Sequence, residues 1–133
     1  DPARSTIYLQ SGVPAVYDLA ILLQMLTPVA RLSGIDSIKD MARSAGLADA
    51  EVPIGLLGYP VLQAADILMA NAELVPVGGD NETHVHVARD TYRRAVSVSP
   101  ELPIAVESAA LKARASAYRS SGDVASCDTF ARR

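Results

Sequence analysis

Residues 58–81 read GYPVLQAADILMANAELVPVGGDN, and the change of character along this stretch decides how the rest of the chain is read. The first half is apolar with a single carboxylate, Asp66, and the second is a short apolar run closed by Gly78-Gly79-Asp80. Pro60 suits the first turn of a helix predicted to reach position 71 or so. On it Tyr59, Gln63, Asp66 and Ala70 stand at relative positions 0, 4, 7 and 11, which sets three polar groups on one stripe. Val61, Ala64, Ala65, Leu68 and Met69 fill the other faces. Either the stripe faces water, or Asp66 meets a hydrogen-bonding partner in a pocket, because an unpaired buried carboxylate is too costly.

The second half predicts a buried parallel strand over Leu74–Val77, with Pro76 where its missing N–H does no harm. Gly78 and Gly79 allow close backbone approach, and Asp80 is a good N-cap for a helix from Asn81 to about Ala95. Val85, Ala88, Tyr92 and Ala95 mark its expected apolar side. A glycine turn feeding a helix N-terminus offers free N–H groups to an anion or to a ribose edge, although the same residues also make an ordinary turn and cap. His84 and His86 diverge by about 200° on a helix, so they cannot chelate one metal together. Both are expected at the surface.

Upstream, Ser5–Gln10 mixes β-branched and aromatic residues and predicts a buried strand, ended by the turn Ser11-Gly12-Val13-Pro14. Pro14 opens a helix to about Leu26, with Val16, Leu19, Ala20 and Leu23 at helical spacing. Ile21 and Leu22 lie outside that stripe, so the helix is apolar on two sides and is buried either wholly in its own core or also against a second subunit. Pro28 interrupts it, Asp36 or Ser37 can cap the next helix, and Gly46 ends that one before a surface loop at 47–53. Lys39 on that helix reads as a solvated lysine.

With 133 residues, half of them apolar and a fifth charged, the chain fits one globular domain with an α/β arrangement. The net charge of −3 gives no basic field for a nucleic-acid backbone, so contact with RNA has to be local or come from elsewhere. Cys127 is the single cysteine, which fits a reducing compartment, and no apolar run reaches membrane-spanning length. The chain starts at Asp1 rather than methionine, as expected of an excerpt. Beyond position 94 the composition turns rich in Ala, Ser and Arg. Two regions are therefore expected, a domain at 1–94 and a divergent tail at 95–133, helical in part around 106–119 and frayed at its end.

Asp1-Pro2, Ser5 to Ser11, Val13-Pro14, the block Gly58 to Leu68, then Val75 to Asn81, His84 and Ala88-Arg89-Asp90 together resemble bacterial tryptophanyl-tRNA synthetase. The resemblance covers residues 1 to about 94 and implies a Rossmann-like class I synthetase domain with parallel strands flanked by helices. It further implies a homodimeric, cytoplasmic enzyme that activates L-tryptophan with ATP and Mg²⁺ and charges tRNA-Trp. By motif position, Asp66 looks like the acceptor for the indole N–H, with Tyr59 and Gln63 lining the indole pocket. Gly78, Gly79, Asp80 and Asn81 look like the ATP-binding loop, and the first helix resembles the dimer-interface region. Asn81 stands where the family has Gln, and Gln63 where it often has Met. The HIGH-type and KMSKS-type elements do not occur in these residues, so the chain is expected to be a partial catalytic domain, inactive alone. A non-catalytic synthetase-like binding or dimerisation module is the alternative.

Overall fold

The computed structural model describes residues 5–70 and 72–98. Five helices carry the described fold: α1 (Ala15–Leu26), α2 (Val29–Ser33), α3 (Asp36–Ser44), α4 (Ile54–Ala70) and α5 (Glu82–Val98). Short 3-10 turns at Gln10–Gly12, Asp49–Glu51 and Gly79–Asn81 connect them. The expected regions of the tail after Val98, and Cys127 with them, lie outside the described residues.

The core sits where α1 and α5 pack on α4. From α1 it takes Val16, Leu19, Ala20 and Leu23, the stripe that helical spacing selects. Alanines 64 and 65 on α4 are fully buried and let the neighbouring backbones approach closely, while Val61 and Met69 fill the spaces above and below them. Val87, Ala88 and Ala95 close the layer from α5. A cross-link holds α2 to α5, where Arg31 donates through Nε and Nη2 to Asp90 Oδ2 at 3.2 and 3.0 Å. Beside it the hydroxyls of Thr27 and Thr91 meet at 3.1 Å.

Proline and glycine set most of the boundaries. Pro14 is the N-cap of α1, and Pro28 stands in extended backbone between α1 and α2. Gly46 has φ +69, and the Gly46 and Leu47 amides turn back to the Arg43 and Ala42 carbonyls, so α3 closes on a left-handed residue that disfavours side chains.

Four local expectations are corrected. The α4 helix opens at Ile54, with Leu57 N–H already bonded to the Pro53 carbonyl, and Pro60 lies inside it. Pro60 costs the bond its N–H would have made, but it is buried in the interior, and burial outweighs local preference. Neither Asp36 nor Ser37 caps α3; the N-cap is Ile35, drawn into the core, while Asp36 accepts from Lys39 Nζ at 3.0 Å. Asp80 makes no side-chain cap, and α5 starts one residue late at Glu82 after a 3-10 turn. The α5 helix also runs on to Val98, past its expected end near Ala95.

Among the described residues there is no strand. Ser5–Leu9 and Leu74–Val77 form no ladder, and Ile7, Leu9 and Leu74 are well exposed. A strand exists only through hydrogen bonds to a neighbour, and these two segments do not pair with each other. The outer side of α1 is apolar as well: Tyr17, Ile21 and Met25 recur at every fourth position, Val29 continues the row, and all four are exposed.

The two faces of α1 should respond differently to truncation. Leu23→Ala is expected to cost about 2–5 kcal/mol in urea denaturation, whereas Ile21→Ala should stay within about 0.5 kcal/mol in dilute, monomeric protein.

Candidate functional site

The polar stripe of α4 does not face open water. Tyr59, Gln63 and Asp66 are each partly buried, and each has a partner from another part of the chain. The partner of the first two is His84, which is only 2 % exposed. Its Nε2 lies 2.9 Å from Ser37 Oγ and 3.2 Å from the Tyr59 hydroxyl, and its Nδ1 lies 3.0 Å from both Gln63 Oε1 and Asn81 Oδ1. Two amide oxygens facing Nδ1 place the ring proton there, which leaves Nε2 to accept from the hydroxyls. Tyr59 also meets the imidazole edge to face, with ring centres 5.2 Å apart. Burial lowers the His84 pKa and the nearby Asp80 charge works against that shift, so the neutral ring is the favoured form.

The surface position expected for His84 is therefore corrected. Among the described side chains of α5, His84, Val87, Ala88, Thr91 and Ala95 are buried, a register in which His84 precedes Ala88 by one turn. Of the expected stripe, Ala88 and Ala95 are buried and Tyr92 packs partly buried against the core, while His84 and Thr91, one residue before Val85 and Tyr92, are the more deeply buried. His86 is exposed, as expected. Spacing alone could have placed His84 inward, because it stands four and seven residues before Ala88 and Thr91. Ser37 carried no such signal, since its role depends on how α3 docks.

Asp66 is engaged on one side. Gln10, from the 3-10 turn before α1, donates through Nε2 to Asp66 Oδ2 at 2.8 Å. The other oxygen, Oδ1, is buried and has no hydrogen-bond partner. Burial raises the Asp66 pKa above the usual carboxylate range, while the Gln10 hydrogen bond pulls it back down. Tyr8 lies nearby, and its phenol is raised by burial and by the Asp66 charge.

The glycine loop sits at the other end of the His84 cluster. Gly78 has extended backbone and Gly79–Asn81 forms the 3-10 turn that leads into α5. A Cβ at Gly78 would fall 2.6 Å from Asp80 Oδ1, so a larger residue there displaces that carboxylate; Gly79 has open space around it. Asn81 donates through Nδ2 to Asp80 Oδ2 at 3.1 Å while its carbonyl oxygen faces His84. Asp80 and Glu82 stand at this helix end, so carboxylates already face its positive dipole. Hydroxyl groups that donate, such as those of a ribose, suit it better than a phosphate. Through His84 the structure joins Tyr59, Gln63 and Asn81; Asp66 lies along the same face of α4, and Gly78, Gly79 and Asp80 stay at the exposed rim.

Lys39 is paired with Asp36 at the surface and borders a cavity of about 500 Å³, which Ile38, Ala42, Arg43 and Leu57 also line. Asp66 and the glycine loop do not line it. Among the described residues no three His, Cys, Asp or Glu side chains gather as a metal site, and no helix is long and apolar enough to cross a membrane.

The sequence matches the family of tRNA synthetases class I (W and Y) over residues 1–107. The chain belongs to that family. Within it, the chain is similar to proteins named tryptophan–tRNA ligase: 56 % identical over 94 residues to that of Treponema pallidum and 53 % over 93 residues to that of Chlamydia caviae. These matches take in 71 and 70 % of the chain and 27 % of each relative. The chain thus spans about a quarter of the length of these relatives. Among solved structures, a tryptophanyl-tRNA synthetase from Campylobacter jejuni, complexed with ADP and tryptophan, superposes with a TM-score of 0.65 at 40 % identity, over 74 % of this chain and 30 % of that one. The helical arrangement is thus part of a class I synthetase fold.

The two shifted groups give the fold opposite pH responses. His84, with a folded pKa below its unfolded value of about 6.5, stabilises the fold above that pH, and the contribution is lost as pH falls through the folded value. Asp66, with a raised folded pKa, is easiest to fold protonated, so its contribution is present below the ordinary carboxylate range and lost as pH rises through the folded value. In urea denaturation at pH 5 and pH 7.5, the unaltered chain should lose more stability, or gain less, on acidification than His84→Gln does. Asp66→Leu should raise stability at pH 7.5 by roughly 1 kcal/mol, because it removes a half-paired carboxylate from the interior.

Proposed function

We propose that this chain is the tryptophan-recognising part of a tryptophan–tRNA ligase, which uses ATP to convert L-tryptophan to tryptophanyl-adenylate and then charges tRNA-Trp. The observation that carries this is the Asp66 carboxylate, with one oxygen held by Gln10 and the other buried without a partner. An acceptor kept in that state is stabilised by a ligand that brings an N–H into an apolar pocket, and the indole of tryptophan does so. A competing side chain without that N–H leaves the carboxylate unpaired, which rejects it more strongly than shape alone does. Tyr59 and Gln63 would line the same pocket from the α4 stripe.

Gly78, Gly79, Asp80 and Asn81 would form the ATP loop and meet the ribose end of the nucleotide. The carboxylates at this helix end support that choice. Mg²⁺ would arrive bound to the ATP phosphates. In the whole protein, Ser5–Gln10 and Leu74–Val77 would join a parallel Rossmann-like sheet, which explains extended segments with exposed Ile7, Leu9 and Leu74. Residues 1–94 would belong to that catalytic domain and 95–133 to a distinct tail. The exposed row Tyr17, Ile21, Met25 and Val29 would be the homodimer face, and tRNA charging would place the enzyme in the cytoplasm.

Calorimetry of the 133-residue chain with L-tryptophan is the direct test. Binding that weakens roughly tenfold or more in Asp66→Ala supports the assignment. Binding of ATP with no response to tryptophan would instead identify a synthetase-like module that does not recognise tryptophan. The chain alone is not expected to support tryptophan-dependent pyrophosphate exchange, whereas the whole protein containing it should. If α1 forms the dimer face, Ile21→Glu combined with Met25→Glu should shift the whole protein to monomer in analytical ultracentrifugation.

A further inference from the structure

Gln10 has no part in the assignments above except as the neighbour of Asp66, yet its placement is specific. The Gln10 carbonyl accepts from Val13 N–H at 3.0 Å, and Val13 is fully buried. The core therefore anchors the backbone that carries the Gln10 side chain. From there the amide reaches across 56 positions of sequence to Asp66 Oδ2 at 2.8 Å. The terminal torsion of a carboxylate is soft and roughly two-fold. Without a fixed donor the carboxylate plane of Asp66 would swing over the broad range of that torsion, and neither oxygen would stay at one place. With the donor present they are distinct: Oδ2 is occupied and Oδ1 is buried and open.

We infer that Gln10 is a positioning residue for substrate specificity: by holding Oδ2 of Asp66 it aims Oδ1 at the ring N–H of an indole-bearing amino acid. The inference rests on Asp66 being the indole acceptor. Gln10 touches the carboxylate and not the substrate, so its contribution is to orientation. A site held in the bound geometry beforehand loses less on binding than one that has to be ordered by the ligand. Its loss should therefore fall on discrimination by the N–H, and much less on the apolar contacts that any ring of that shape makes.

The test uses the 133-residue chain and two ligands that differ at one ring atom, L-tryptophan and its benzothiophene analogue, in which sulfur replaces the indole N–H. The unaltered chain should prefer tryptophan roughly tenfold or more. Gln10→Leu and Gln10→Met, which keep the bulk and remove the donor, should bring that ratio to within about threefold of unity, with affinity for the analogue changed less than about twofold. Thermal unfolding followed by circular dichroism identifies which variants are folded, and the two substitutions give two chances of a folded one. Equal weakening of both ligands with the ratio kept, or no change in the ratio, would overturn the role of Gln10. Asp66→Asn separates the two levels: if it abolishes the preference while the Gln10 variants keep it, the acceptor assignment stands and the positioning role falls. If the unaltered chain binds neither ligand, or shows no preference, both fall together.

Discussion

A neutral imidazole buried between three helices is the interaction on which the described architecture depends. His84 accepts from α3 through Ser37 and from α4 through Tyr59, and it turns its Nδ1 proton toward Gln63 on α4 and Asn81 in the turn before its own helix. Each of those polar groups would otherwise be desolvated to some degree by the close packing of α4 against α5. A shared ring satisfies them at once, and only in one tautomer. The consequence is geometric. The register of α5 on α4, the docking of α3 and the path of the glycine loop are set by one side chain, so the residues at the two ends of the site are held at a fixed separation.

Asp66 is the opposite kind of feature. Where His84 satisfies its neighbours, Asp66 leaves one buried oxygen unsatisfied and has its pKa raised by the burial that creates the problem. An apolar residue at this position would make a better core between Ala65 and Ile67. Keeping a carboxylate there lowers stability and leaves an unfilled acceptor, which is the pattern expected of a position retained for binding. The cluster and the carboxylate lie on the same face of α4, so the rigidity supplied by the first is available to the second.

Much of the helical scaffold was legible because its signals are local. The α1 stripe, the interruption at Pro28, the stop at Gly46 and the polar stripe of α4 follow from spacing and from backbone chemistry that needs no tertiary information. The failures share a cause. Pro60 prefers a first turn, but burial decides its place. His84 is a polar residue on a helix, and polarity is a poor guide to burial when four partners converge on one ring. The partnership of Gln10 with Asp66 spans 56 positions, and no periodicity reports on a contact of that range. The resemblance of the quoted motifs points to Asp66 and to the glycine loop; the His84 cluster that ties Asn81 of the loop to Tyr59 and Gln63 of α4 is visible only in three dimensions.

The unpaired segments Ser5–Leu9 and Leu74–Val77 bear on how the helical layer is used. Along the first and into the turn that follows, Tyr8 and Gln10 are partly buried while Ile7 and Leu9 are exposed, the alternation of a strand with one face covered. The face that is covered is the one that brings Gln10 to Asp66. Sheet formation by this segment in the whole protein would pin its backbone through ladder hydrogen bonds on top of the Val13 anchor, and would restrict Gln10 further. Orientation of the carboxylate is then coupled to the sheet, because the residue that aims Asp66 directly follows the segment that would enter it. A helical layer alone can provide the acceptor; the precision with which it is aimed depends on what pairs with the segment at its edge.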